Sequence, residues 1–269
     1  GTDILSVTFA GAGLSASDLG SVTGFEKITA ATNATASVTT ADANVAATAA
    51  LTIDMTANTT AASTVDISAE TNGAITILGG AGGNTITGSV SSMGDTITGG
   101  AGTDGIAFAV ASLDLLDTVD GGAGTDTLTI SGNGTIADAD FTNVTNIEAL
   151  TMGVGGANTY VLGAEYAESG SVTVNVAAGV ANNITLGSGV TTAQTIAMGT
   201  GTDTISAALS PAAMTFTVAA ANVASTDTIT GGTGSGDTLT ITFASDAIAA
   251  TNMAGVTAVE TNKTASNVA

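Results

Sequence analysis

The sequence contains no cysteine, histidine, tryptophan or arginine, and a single proline in 269 residues. Without cysteine there is neither a disulfide framework nor a thiolate site. Lys27 and Lys263 are the only basic side chains, so the chain has almost nothing to neutralise phosphates, and nucleic acid is excluded as a partner. An anionic membrane surface would repel it too. Aromatics make up 3% of residues, too few for a sugar-stacking platform, and no apolar run reaches the ~18 residues of a transmembrane helix. The groups that usually carry acid–base and nucleophilic chemistry are mostly missing, and a non-enzyme is expected.

What the chain does have is small and acidic. Alanine, threonine, serine, asparagine and 36 glycines dominate, and 17 Asp with 6 Glu give a formal net charge of −21. Small side chains supply little burial energy each, which favours a thin architecture stacked in register over a thick core. Self-repulsion on this scale opposes compaction unless cations bind. Alternation is the dominant pattern: Leu51-Thr52-Ile53-Asp54-Met55, Ile75-Thr76-Ile77 and Val172-Thr173-Val174-Asn175-Val176 all read apolar-polar-apolar, the period of half-buried strands. The Ala-rich stretch 41–50 is broken by Thr and Asn and fits a coil of small residues better than a helix. The expected fold is all-β, a parallel β-solenoid (β-helix) or a chain of related β modules with Gly-rich calcium-binding turns.

Internal repeats organise the sequence. Gly99-Gly100-Ala101-Gly102-Thr103-Asp104-Gly105-Ile106 and Gly121-Gly122-Ala123-Gly124-Thr125-Asp126-Thr127-Leu128 share one motif. Gly79–Ile86 carries Asn84 in the Asp place, Gly231–Leu239 has one residue more before Asp237, and Gly199–Ile205 is a weaker copy around Asp203. A second Asp precedes the motif by nine or ten residues: Asp95 before Asp104, Asp117 before Asp126, Asp227 before Asp237. A longer element, Asp140–Glu148, recurs at Asp18–Glu26 and Asn252–Glu260. Asp3, Asp126 and Asp237 precede their Glu by 23, 22 and 23 residues. On this reading the chain holds modules 1–120, 121–230 and 231–269. Gly1-Thr2-Asp3 reads as the tail of a Gly-rich motif, so a fragment of a longer protein is expected, and the missing secretory signal carries little weight.

Glycine permits positive φ and lets backbone approach an ion closely. Hard cations such as Ca²⁺ take six to eight oxygens at roughly 2.3–2.6 Å. Carbonyls of a Gly-rich turn, with Asp carboxylates at equivalent places in consecutive half-coils, supply such a set. The candidate calcium ligands are Asp95, Gly100, Gly102, Asp104, Asp117, Asp120, Gly122, Gly124, Asp126, Asp203, Asp227, Gly232 and Asp237. The alternative is that these turns are bare solenoid corners. Glu26, Glu148 and Glu260 have two readings, calcium ligands or side chains that hydrogen-bond a backbone turn or cap a strand, and the second is expected. Thr-x-Thr strands such as Thr96-Ile97-Thr98 and Thr238-Leu239-Thr240 have the pattern of flat ice-binding faces, but threonine is common on any exposed strand face.

Residues 99–106 and 121–128 resemble the nonapeptide calcium repeats of RTX, or haemolysin-type, secreted bacterial proteins. The Gly-rich turn followed by the Val-Thr-x-apolar-Glu element is also similar to surface-layer (S-layer) and RTX-adhesin-like proteins of Gram-negative bacteria. The resemblance implies a secreted, extracellular, cell-surface location and type I export through a C-terminal signal. It implies a self-assembling structural role, with other copies of the chain and calcium as partners, and surface polysaccharide as a further candidate. Two alternatives belong to the same resemblance: the repeat or extender region of a large adhesin, and the calcium-folding export domain of a secreted enzyme.

Overall fold

The computed structural model describes residues 1–9, 13–31, 33–243 and 248–266. The chain divides into two units, Gly1–Ile130 with Asn143–Glu148, and Ser131–Thr142 with Ala149–Ala269. Each is a β-solenoid whose strand pairs are parallel. Helix is confined to short turns, of which Ala164–Glu168 is the longest α-helical one. The Ala-rich stretch holds only a 3₁₀ turn at Asp42–Asn44 before the strand Ala50–Asp54.

In the first unit one sheet stacks Ile4–Val7, Lys27–Ala30, Ala50–Asp54, Ala74–Leu78, Thr96–Gly102, Thr118–Gly124 and Val144–Thr145. The facing sheet stacks Ala36–Thr39, Ser63–Asp66, Thr85–Thr87, Gly105–Ala109 and Thr127–Ser131. Strand alternation then decides what is inside. Ile28, Ile53, Ile77, Ile97, Val119 and Val144 lie in register, one above the next, all buried. The polar partners between them face outward. Each coil thus adds one aliphatic rung per sheet, and a thin interior suffices because β-branched side chains pack well on a pleated surface.

The second unit repeats the scheme. One sheet runs through Ala149–Met152, Thr173–Asn175, Gln194–Ala197, Met214–Ala219, Thr238–Phe243 and Thr261–Ser266. The other runs through Gly134–Ile136, Asn158–Leu162, Asn182–Leu186, Asp203–Ser206, Thr228–Thr230 and Val256–Thr257. Leu150, Val174, Ile196, Phe216 and Leu239 form one buried column. Phe141 and Tyr166 meet edge to face, with ring centres 5.5 Å apart, and the Tyr166 hydroxyl donates to Gln194 Oε1 at 2.9 Å.

The motif spacing now has a mechanical meaning. A shift of 20–22 residues carries Thr76 to Thr96 and then to Thr118, which pair as neighbours, so that shift is one full coil. Nine residues carry Asp95, ahead of a strand in one sheet, to Asp104, ahead of a strand in the facing sheet, so nine is a half-coil.

Candidate acidic columns and glycine turns

Asp95, Asp104, Asp117, Asp126, Asp203, Asp227 and Asp237 sit at the corners, at or just before the start of a strand. There the chain turns inward, and its backbone N–H would be buried without a partner. A side-chain oxygen from the following coil fills that need. Ser63 N–H donates to Asn84 Oδ1 at 3.0 Å, and Asn84 N–H to Asp104 Oδ1 at 2.6 Å. Asp104 N–H donates to Asp126 Oδ1 at 2.8 Å, and Asp126 N–H to Glu148 Oε2 at 2.6 Å. The opposite corner of the same unit carries a shorter column: Ile75 N–H to Asp95 Oδ1 at 3.2 Å, and Asp95 N–H to Asp117 Oδ1 at 2.8 Å.

In the second unit Asn182, Asp203 and Asp227 form one column, with N–H···Oδ1 distances of 3.3 and 3.0 Å. Met214, Asp237 and Glu260 form another, at 2.7 and 2.6 Å. Asp3 N–H donates to Glu26 Oε2 at 2.7 Å. All three Glu of the long motif therefore hold a backbone amide one coil away. A hydrogen bond from an amide to a charged acceptor contributes about 1.5–3 kcal/mol net.

The second carboxylate oxygens divide the acids into two kinds. Those of Asp95, Asp117, Asp227 and Asp237 accept from the N–H of Ser89, Asp114, Ala224 and Gly232 respectively. Oδ2 of Asp104 and Oδ2 of Asp126 are buried and take no hydrogen bond. Each faces the glycine turn of its own motif. A Cβ added to Gly99 would stand 2.6 Å from Asp104 Oδ2 and against the Gly121 carbonyl. One added to Gly121 would stand 2.8 Å from Asp126 Oδ2 and against the Asn146 carbonyl. Gly100, Gly102, Gly122 and Gly124 take φ of +112°, +111°, +95° and +140°, in reach of glycine but strained for other residues.

Asn84 shows what this corner asks of its occupant. Its Nδ2 donates to Gly80 O at 3.2 Å, Gly99 O at 2.9 Å and Asp104 Oδ1 at 3.0 Å. Asn182 Nδ2 does the same in the second unit, toward Ala177 O, Val180 O and Asp203 Oδ1. Where Asn places a donor among acceptors, Asp104 and Asp126 place an acceptor. Burial accordingly pushes the carboxyls of Asp95, Asp104, Asp126 and Asp203 above their usual range, and that of Asp117 up to about 6. At Asp126 the neighbouring Asp104, Glu148 and Asp120 charges add to the effect of burial. Asp104→Asn should therefore stabilise the calcium-free protein by about 1–3 kcal/mol, since the amide pairs where the carboxylate oxygen stands unpaired. Thermal melts in chelator check this, and a lower melting temperature for the variant would refute it.

The candidate ligands do not all come together. Asp104 and Asp126 share one column with Gly100, Gly102, Gly122 and Gly124. Asp95 and Asp117 occupy the opposite corner, while Asp203, Asp227, Asp237 and Gly232 belong to the second unit. Asp120 stands apart on the outer face of its strand, where Oδ1 accepts from Gly122 N–H at 3.0 Å and Asn146 Nδ2 at 2.7 Å. Among the described residues no three acidic side chains converge as a ready-made cage for a metal. An ion at Asp104 or Asp126 would have to draw most of its oxygens from the turn carbonyls, and the unpartnered Oδ2 atoms fit that chemistry.

Two residues escape the motif search. Asn182 heads its column as Asn84 does in the first unit, with no glycine motif to mark it. Glu70, fully buried, receives the N–H groups of Thr71, Asn72 and Gly73 on Oε1 at 3.1, 2.9 and 2.7 Å. Its signal in the sequence is only an acid followed by Thr-Asn-Gly, a turn composition. No protein-family profile, no curated protein and no solved structure matches the chain.

Proposed function

We propose that this chain is part of a calcium-stabilised structural protein of the bacterial cell surface, and that it self-assembles as a surface-layer subunit. The observation that carries the reading is the column Asn84–Asp104–Asp126–Glu148, with two buried carboxylate oxygens that lack a donor and face carbonyl-lined glycine turns. Calcium at Asp104 and Asp126 would neutralise charge where burial makes it costly, and would tie one coil to the next. The resemblance of residues 99–106 and 121–128 to RTX repeats supports the same ion.

Self-association is supported by the corners of the first unit. Val90, Met93, Leu115 and Leu116 are large, apolar and 44–58% exposed, at equivalent corners of successive coils. Exposed apolar groups recurring in this way mark contact surfaces. Calcium, by lowering the net charge, would let like-charged copies approach.

Sedimentation and electron microscopy test the assembly. Ordered sheets or fibres are expected in calcium and dispersed chains in chelator, with Leu115→Ser and Leu116→Ser together reducing association. Monomers at high protein and calcium concentration would overturn the surface-layer role. That outcome would favour the second reading, an extender region of a secreted adhesin, which needs the calcium-rigid coils and no lattice.

A further inference from the structure

We propose that Glu70 and Asp42 hold a hard divalent cation of the calcium class, at a corner of the first unit that lies outside the Gly-rich motifs. The two carboxylates flank one amide: Thr71 N–H donates to Asp42 Oδ1 at 3.0 Å and to Glu70 Oε1 at 3.1 Å. Asn72 touches both, its N–H donating to Glu70 Oε1 at 2.9 Å and its Nδ2 to Asp42 Oδ1 at 3.4 Å. Thr71 Oγ1 donates to Asp42 Oδ1 at 2.6 Å. Asp42 is exposed and Glu70 is wholly inside, so the cluster runs from solvent into the corner.

The observation that points to a ligand is a pair of orphan oxygens. Glu70 Oε2 and Asn72 Oδ1 are buried and take no hydrogen bond. Each shares a carbon with an atom inside the cluster, Oε2 with Oε1 and Oδ1 with Nδ2, so neither stands far from Asp42. The orientation of the Asn72 amide follows from its neighbour: an ionised Asp42 oxygen can only accept, so Nδ2 faces it and Oδ1 is left over. A carboxylate oxygen buried without a partner is costly. The protein offers this one no basic side chain, since Lys27 is tied to Asp54 at 2.7 Å and Lys263 belongs to the second unit.

The turn one coil earlier shows a corner that needs no ion. Asn44 is buried there; its Oδ1 accepts from Ala41 N–H at 2.6 Å, and its Nδ2 donates to the carbonyls of Leu19 and Val22 at 2.7 and 2.9 Å. Every polar atom of that amide has a partner. Glu70, after the next strand of the same sheet, brings an acceptor and no donor. A buried carboxylate, a carboxamide oxygen and a second carboxylate at the surface are the kind of oxygen ligands Ca²⁺ takes, with turn carbonyls or water to complete its six to eight. The inference stands apart from the reading of Asp104 and Asp126 as calcium ligands, and the test keeps the two separate.

The test titrates the whole chain, carrying Asp104→Asn and Asp126→Asn, with calcium chloride by calorimetry and with terbium by luminescence. This background should still bind calcium, and adding Glu70→Gln should remove one site from its stoichiometry. Glutamine keeps an oxygen for the three turn amides and puts a donor where Oε2 stands. In chelator the Glu70→Gln chain should therefore melt no lower than its background, and calcium should raise its melting temperature less. Asp42→Asn, on the exposed side, should lower the affinity of the same site by about tenfold through the lost charge. It carries the test if Glu70→Gln does not fold by circular dichroism. The proposal is overturned if the background chain binds no calcium, or if Glu70→Gln and Asp42→Asn both leave its titration unchanged. Wild type and background giving the same titration, with the Glu70-dependent site still present, would remove the Asp104 and Asp126 sites and support this one.

Discussion

Chelating calcium at neutral pH will lower the melting temperature by roughly 10–20 °C. The size follows from two sites. An ion that binds only the folded state at a hundredfold excess over its dissociation constant contributes about 2.7 kcal/mol. Asp104 and Asp126 together would thus account for about 5 kcal/mol, comparable to the ~5–15 kcal/mol net stability of a typical domain. Each of these carboxylates has a buried Oδ2 without a donor, so removing the ion leaves charge against carbonyl oxygens. Magnesium should rescue poorly, being smaller and slow to shed its water. Asp104→Ala and Asp126→Ala should weaken calcium binding more than Asp66→Ala, because Asp66 Oδ1 already accepts from Ser68 N–H on an outer face. Far-UV melts with chelator and with added calcium, beside calorimetric titration, decide the matter. Identical melts and no heat of binding would remove calcium from the account and leave the turns as bare corners.

Mild acid will stabilise the calcium-free protein, opposite to the usual course of acid denaturation. The carboxyls of Asp95, Asp104, Asp117, Asp126 and Asp203 are all raised by burial, so the folded state holds protons more tightly than the unfolded chain. For a raised carboxyl the associated stability is complete below its unfolded value and is lost as pH climbs through its folded value. For Asp117 that window runs from 3.8 to about 6. Asp117 alone is worth at most about 3 kcal/mol across it, at 1.36 kcal/mol per pKa unit, and less to the extent that solvent screens the group. The exposed Asp18 and the Lys27-paired Asp54 shift downward and oppose this trend over a lower range. Urea unfolding in chelator should therefore show a midpoint that rises as pH falls from 7 toward 5. In calcium the slope should reverse, because protons then compete with the ion. A midpoint that falls with acid in chelator would show that the raised carboxyls do not govern stability.

Much of this molecule was legible in its sequence because its periods are short and its strands alternate. Ile75-Thr76-Ile77 and Val172–Val176 read as strands and are strands, over Ala74–Leu78 and Thr173–Asn175. The interval from Asp126 to Glu148 marked an equivalent pair of positions, and in the fold it is one coil closed by a hydrogen bond. The partner of each carboxylate was not legible. That partner is a backbone amide about 22 residues away, and which amide it meets depends on coil register, which local pattern does not fix. The same gap hid what Asn84 does. As a sequence it is a departure from the Asp motif, whereas in the column it is the member that satisfies every neighbour. Glu70 shows the limit from the other side, since its three amides come from a local turn that no repeat predicts.

The corner bonds also make length a free variable for this kind of protein. Each rung of the Asn84–Glu148 column pairs an amide of one coil with a side-chain oxygen of the next. Excising the segment between Asn84 and Asp104, or between Asp104 and Asp126, would bring an equivalent acceptor to the amide left behind, with Ile86, Ile106 and Leu128 as interchangeable apolar fillers. Unequal recombination among such segments can add or delete whole coils without creating a mismatched seam. A lineage could in this way tune how many coils the molecule stacks with no change to the chemistry of any single layer.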